Sequence, residues 1–250
     1  MMSAFEDHFS TGSADYAAYR PTYPAALVDA LADLAPATDA ALDVGCGTGQ
    51  LAVLLAARFR SVIATDASAQ QIAQAVPQER VNYRVAPADA SGLAGASVDL
   101  LTAAQAAHWF DLDAFYAEAR RVLRPRGILA LITYGIMRAD AALDPVIARF
   151  YWDVIGPYWP PERRHVEQGY RAFPFPFEEI ALPPLAIEVR WTRDDLFGYV
   201  DTWSAVKAVE KALGREPVEA LRRDVAAVWT DPEERRTIRF PLSGRVGRVT

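Results

Sequence analysis

The stretch Asp43-Val44-Gly45-Cys46-Gly47-Thr48-Gly49 constrains this 250-residue chain more than any other. The apolar run Ala40–Val44 has the length of a buried strand, and the apolar residues of 50–59 suit a helix. Between them, glycines at 45, 47 and 49 give the backbone freedom for a tight turn and let a ligand approach without meeting a Cβ. A helix opening at such a turn also offers its unpaired amides to whatever binds there. The dinucleotide fingerprint Gly-x-Gly-x-x-Gly, started from Gly45, needs glycine at position 50. Gln50 stands there, so the pattern is shifted by one.

The alternation of strand and helix continues along the chain. Strands are expected at 61–65, 81–86, 98–102 and 128–134, the last after the break Pro125-Arg126-Gly127. Helices are expected at 70–76, capped by Ser68, and at 112–123. Two further strands, 185–191 and 236–240, bracket helices at 193–213 and 216–228. This order predicts an α/β, Rossmann-like, doubly wound and mostly parallel seven-stranded sheet with an antiparallel last strand. Ligands of such sheets bind at the carboxyl edge where the strand order reverses, and that edge includes the loop at Gly45.

Two segments fall outside the alternation. Tyr16, Tyr19, Arg20 and Tyr23 precede a helix starting near Pro24, an N-terminal helical cap over 1–38. Residues 150–177 hold nine aromatics of the chain's 27, three times the chance density, interrupted by Pro157, Pro160, Pro161, Pro174 and Pro176. Such a stretch reads as an irregular aromatic insertion, 139–180, lying over the sheet edge as a substrate lid. The chain is then a single domain over 1–250, with a ligand-binding core at 39–135 and a C-terminal part, 181–250, completing the sheet.

Net charge of -6 argues against nucleic acid as a partner, and Arg120, Arg121, Arg124 and Arg126 read as the end of a helix. Met1 to Ser10, with Glu6, Asp7 and His8, lacks the basic and apolar regions of a signal peptide, and no window reaches 18 uncharged apolar residues. A cytoplasmic protein without a membrane span is expected. One cysteine and three widely separated histidines, His8, His108 and His165, exclude an internal disulfide framework and provide no metal-ligand spacing. Cys46, between two glycines, reads as a small side chain that fits, not as a nucleophile.

Asp66 lies 21 residues beyond Gly45 at the end of the second strand, placed to accept hydrogen bonds from the ribose diol of an adenosine ligand. Together with Tyr16-Ala17-Ala18-Tyr19-Arg20-Pro21-Thr22-Tyr23-Pro24, Ala88-Asp89, Ala107-His108-Trp109-Phe110 and Arg121-Val122-Leu123-Arg124-Pro125-Arg126-Gly127, the glycine loop and Asp66 make residues 5–135 resemble the class I methyltransferases. Within that family the resemblance is to the type 11 subgroup that includes trans-aconitate and quinone-biosynthesis methyltransferases. The later pattern from Trp191-Thr192 through Tyr199 to Thr202-Trp203-Ser204 is similar to the trans-aconitate-like branch.

The resemblance implies S-adenosyl-L-methionine as cofactor and a small-molecule methyl acceptor, with a carboxylate oxygen favoured. It implies that Asp43 and the backbone of Gly45, Cys46, Gly47 and Gly49 hold the methionine part, and that Asp66 with Ala67 meets the ribose. Ala88 and Asp89 would then meet the adenine and Gln105 the ammonium, while Tyr16 and Arg20 close over the cofactor, Arg20 pairing with its carboxylate. His108 is the candidate general base if the acceptor must lose a proton, its ordinary pKa of about 6.5 suiting that task. Two other functions compete. A noncatalytic S-adenosylmethionine-binding protein would fail a methyl-transfer assay, and an NAD-dependent oxidoreductase is disfavoured by the displaced third glycine.

Overall fold

The computed structural model describes residues 19–249. Helix α1 (Ala25–Leu34) leads into β1 (Ala40–Val44), α2 (Gln50–Leu55), β2 (Ser61–Asp66), α3 (Ala69–Ala73) and β3 (Val81–Val85). Then come β4 (Val98–Ala104), α4 (Leu112–Val122) and β5 (Leu123–Tyr134). The insertion contributes α5 (Leu143–Arg149), a π-helical turn (Phe150–Val154), α6 (Arg163–Glu167) and β6 (Glu178–Ile180). The remainder is β7 (Ala186–Trp191), α7 (Arg193–Asp201), α8 (Ser204–Leu213), α9 (Glu216–Val228) and β8 (Arg236–Arg248). Strand order is β3-β2-β1-β4-β5-β8-β6, with β7 on the first half of β8. Strands β1 to β5 pair in parallel and β8 runs antiparallel to β5, as expected for this class of sheet.

Period-two alternation along the central strands sends side chains to both faces. On β5, Ile128, Ala130 and Ile132 join one apolar cluster while Leu129 and Leu131 join the other. The first cluster packs α1, α2 and the C-terminal helices against the sheet, and the second packs α4 and part of the insertion. Local chemistry agrees with the packing. Ser68 accepts from the Gln71 amide at the start of α3, Asp111 accepts from the Ala114 amide ahead of α4, and Thr192 with Asp195 forms a reciprocal cap on α7.

Three departures from the sequence expectations have physical causes. The sheet has eight strands where seven were expected, because β6 is three residues long and carries too little pattern to be read. Strand β8 runs to Arg248 instead of ending at 240; Pro241, Gly244 and Gly247 hide its second half, which pairs with β5. Gly244 has φ +156, and a Cβ there would lie 1.9 Å from the Leu131 carbonyl oxygen, so the close approach of β8 to β5 requires glycine. Third, the helix expected over 193–213 is two helices, because Trp203 takes extended backbone. Its ring is buried against Tyr151, Trp159 and Tyr199 at centroid distances of 5.4, 5.8 and 5.6 Å, and this packing overrides helix propensity.

Four of the insertion's nine aromatics, Phe150, Tyr151, Tyr170 and Phe173, are buried, while Trp152 is exposed. Much of the aromatic density is therefore core. No helix among the described residues is long and apolar enough to cross a membrane.

Candidate active site

Strand order reverses between β1 and β4, so the loops that follow them diverge and leave a crevice at the carboxyl edge. The two loops touch at its base: a Cβ on Gly45 would lie 2.6 Å from the Ala106 Cβ. Gly45, Gly47 and Gly49 all have positive φ, at +66, +56 and +92. A Cβ on Gly49 would lie 2.2 Å from the Tyr83 hydroxyl, whereas on Gly47 it would meet only ordinary contacts at 3.8 Å and beyond. Gly49 is thus glycine for internal packing, and Gly47 leaves its outer face open to a ligand. Cys46 is buried, and burial followed by the charges of Asp43 and Asp66 pushes its thiol well above the ordinary range, which makes it inert.

Asp43 sits opposite Thr102 in the β1–β4 register and accepts from its hydroxyl at 2.7 Å. Its carboxyl is 1% exposed and pushed up to about 7, by burial first and further by the Asp66 charge, against the lowering effect of the Thr102 hydrogen bond. Asp66 accepts from the Gly47 amide at 2.9 Å through one oxygen and from the Ser68 amide at 2.8 Å through the other. It therefore ties the glycine loop to the end of β2, a structural duty that the sequence does not announce. Ala67 follows it, exposed.

The connection after β3 is joined to β2 through Ala86, whose amide donates to the Asp66 carbonyl at 3.0 Å. Ala88 is half-buried and Asp89 exposed on this connection. Ser91 anchors it by donating its amide to Glu118 at 2.9 Å, and the Arg121 guanidinium gripping Glu118 holds that carboxyl down to about 2. Asp66, Ala67, Ala88 and Asp89 thus share one end of the sheet.

At the end of β4, Gln105 adopts left-handed backbone, φ +56, held by its side chain, which donates to the Tyr134 carbonyl at 2.9 Å and accepts from Thr133 at 2.8 Å. Strain held by such over-determination is a feature of functional sites. His108 follows in a single 3-10 turn, its Nδ1 3.1 Å from the Tyr170 hydroxyl. Burial, then the charges of Arg163 and His165, push its imidazole down to about 3. The ordinary value of about 6.5 assumed from sequence does not hold. Arg163 donates through Nε to the Tyr151 hydroxyl at 2.8 Å and stacks 4.7 Å from the Trp159 ring centroid. Tyr151 in turn donates to Glu167 at 2.8 Å.

Arg20 lies near Tyr23 and Tyr199. Burial pushes the Tyr23 and Tyr199 hydroxyls up, and the Arg20 charge pulls both back. Beside it, the Tyr19 ring leans on α7 where a Cβ on Gly198 would lie 2.4 Å from it. Tyr16 lies outside the described residues. Sequence reasoning missed Thr102, Thr133, Arg163 and Tyr170. The glycine before Tyr170, directly after a short polar helix, is the one local signal that marks a special turn there.

Among the described residues no group of His, Cys, Asp and Glu side chains has the arrangement of a metal site. A methyltransferase-domain family profile matches residues 42–131, which span the glycine loop, Asp66, Asp89 and His108. A methyltransferase of Dictyostelium discoideum is 33% identical over 247 residues, covering 95% of this chain and 93% of its own. A Saccharomyces cerevisiae protein named as an S-adenosylmethionine-dependent methyltransferase is 28% identical over 172 residues, 63% of this chain and 59% of its own. A solved structure from Anaeromyxobacter dehalogenans, described as a type II methyltransferase, superposes with a TM-score of 0.88 at 48% identity, covering 92% of this chain and 97% of that one. The chain belongs to the class I, S-adenosylmethionine-dependent methyltransferases.

Proposed function

We propose that this enzyme methylates a small-molecule carboxylate, as in the trans-aconitate-like branch it resembles, and not a nucleic acid. One observation carries the acceptor class. The Arg163 guanidinium is held through its Nε by the Tyr151 hydroxyl, with Glu167 3.9 Å away, stacks over the face of the Trp159 ring and acts electrostatically on His108, and the Trp159 indole nitrogen is buried without a hydrogen-bond partner among the described residues. A guanidinium and an indole N–H carried on one aromatic wall suit an anionic group.

The cofactor assignments rest on the edge geometry. A buried Asp43 carboxyl, raised by burial and by the Asp66 charge, fits a positively charged ligand, and the open face of Gly47 fits its close approach. Asp43, Gly45, Cys46, Gly47 and Gly49 would hold the methionine part and Gln105 its ammonium. Asp66 with Ala67 would meet the ribose, Ala88 and Asp89 the adenine, and Arg20, with Tyr16, the carboxylate. When bound, S-adenosylmethionine supplies an electrophilic methyl on a sulfonium.

The chain's own contribution is alignment and exclusion of water. Arg163 orients the acceptor, and the rings of Tyr151, Trp159, Tyr199 and Trp203 make the surrounding wall apolar. A carboxylate is already nucleophilic, so no proton has to be removed. An imidazole held near 3 is a weak base at neutral pH, which supports that acceptor over one needing His108 to deprotonate it. The test is incubation with methyl-labelled S-adenosylmethionine and panels of small carboxylic acids, phenols and amines. Base-labile label on carboxylic acids, lost on Arg163→Leu, is expected; label confined to phenols or amines contradicts the assignment.

A further inference from the structure

Arg163 and Glu167 stand one turn apart on α6, the spacing at which two such side chains are neighbours on a helix surface. They do not bond each other directly. Arg163 Nε lies 3.9 Å from Glu167 Oε1, too far for a hydrogen bond, and the Tyr151 hydroxyl bridges the two at 2.8 Å from each. The chemistry of the three groups fixes both directions. A guanidinium only donates, so Arg163 gives its Nε–H to the Tyr151 oxygen; a carboxylate only accepts, so Tyr151 gives its single hydrogen to Glu167. Burial pushes the Tyr151 phenol well above its ordinary range, so that hydrogen stays in place at neutral pH.

Tyr151 is itself held firmly. Its ring is fully buried against Trp152, Trp159 and Trp203, at centroid distances of 4.7, 5.2 and 5.4 Å. It belongs to the π-helical turn, in which the Ile155 amide reaches back five residues to the Phe150 carbonyl at 2.9 Å. Such turns are rare and occur frequently at functional sites. Of the five N–H groups of Arg163, only Nε–H has a protein acceptor among the described residues, and Cζ lies 4.7 Å over the Trp159 ring. The charge at its other end acts on His108, Tyr170 and Tyr199.

We infer that Tyr151 and Glu167 are positioning residues that hold Arg163 by Nε, so that its Nη1 and Nη2 groups meet the acceptor's carboxylate as a two-pronged fork. A direct side-on pair with Glu167 would occupy Nε and one amino group and leave a single prong. The bridging hydroxyl satisfies Glu167 without that loss. A planar carboxylate carries two oxygens on one carbon and matches the fork, so recognition depends on shape as well as charge. This inference rests on the functional reading that Arg163 binds the acceptor.

The kinetic test uses the carboxylic acid that becomes labelled. Tyr151→Phe and Glu167→Leu should each raise its KM about tenfold, the scale of one oriented hydrogen bond, with the Kd of S-adenosylhomocysteine unchanged. Glu167→Gln keeps an oxygen for the Tyr151 hydrogen and should return KM to within about threefold of the parent value, a rescue that a purely structural defect would not show. Arg163→Lys keeps the charge without the fork and should raise KM by about tenfold or more. A parental KM in Arg163→Lys, or in both Tyr151→Phe and Glu167→Leu, overturns the positioning, and so does Glu167→Gln behaving like Glu167→Leu. An unmoved KM in Arg163→Leu overturns the functional reading instead. A second readout needs no acceptor. In protein labelled with 15N-arginine, the Arg163 Nε–H, assigned by its loss in Arg163→Lys, should exchange with water about tenfold more slowly than it does in Tyr151→Phe; equal rates overturn the bridge.

Discussion

Asp43 ties the stability of the fold to pH. Its carboxyl takes up a proton at higher pH in the folded chain than in the unfolded one, about 7 against 3.8. The folded state therefore binds more protons between these values, and stability falls as pH rises from about 4 through 7, the full penalty being present above 7. Asp43→Asn should raise the stability of the ligand-free protein at pH 8 by about 1–3 kcal/mol, measured by denaturant unfolding, and weaken cofactor binding. A cationic ligand beside Asp43 favours its ionised form, so titrations in buffers of different ionisation heat should reveal proton release on cofactor binding near pH 7. At Asp66 binding and stability fall together. Asp66→Ala should weaken cofactor binding by roughly 1.5–3 kcal/mol by calorimetry, and because it also unpins the Gly47 amide it should lower stability as well. His108, neutral throughout the working range, should add no limb to the pH–rate profile between pH 5 and 8. An acidic limb near 6.5 that disappears in His108→Ala would restore it as a general base.

Elements with strong periodicity or turn chemistry were legible in the sequence, and those set by tertiary packing were not. Strands β1 to β5 and the glycine loop follow from apolar runs and glycine spacing, and Ser68 caps α3 as its residue type suggests. The second half of β8 was hidden because Pro241, Gly244 and Gly247 are poor strand formers whose positions are dictated by β5 and the insertion. Gly244→Ala tests this directly. With the Leu131 carbonyl oxygen 1.9 Å from the new Cβ, the strand pair must separate, and a loss of at least 2 kcal/mol in unfolding free energy is expected. The meeting of Asp43, the glycines and Asp66 at one sheet edge was legible because their spacing along one βα unit carries the information. Arg163 and Tyr170 were not, since they reach His108 across a fold that joins residues more than 50 positions apart.

At the scale of the whole molecule, the sheet brings three separate pieces of chain to one edge. The β1 and β2 ends provide the loop and Asp66, the β4 end provides Gln105 and His108, and the insertion provides Arg163 and Tyr170. Tyr19 leaning on Gly198 joins the N-terminal cap to α7. A cover built from these pieces should gain protection together, so hydrogen exchange over 19–23 and 150–173 should slow when cofactor and acceptor are both present. Equal exchange with and without them would mean that the insertion is fixed core. All of this depends on the crevice at Gly47 and Asp66 being the methyl-donor site. Isothermal titration of S-adenosylhomocysteine into the purified chain tests that dependence most directly. The account predicts saturable one-to-one binding near micromolar Kd, about 8 kcal/mol, that weakens in Asp66→Ala; no saturable heat at millimolar ligand would contradict it.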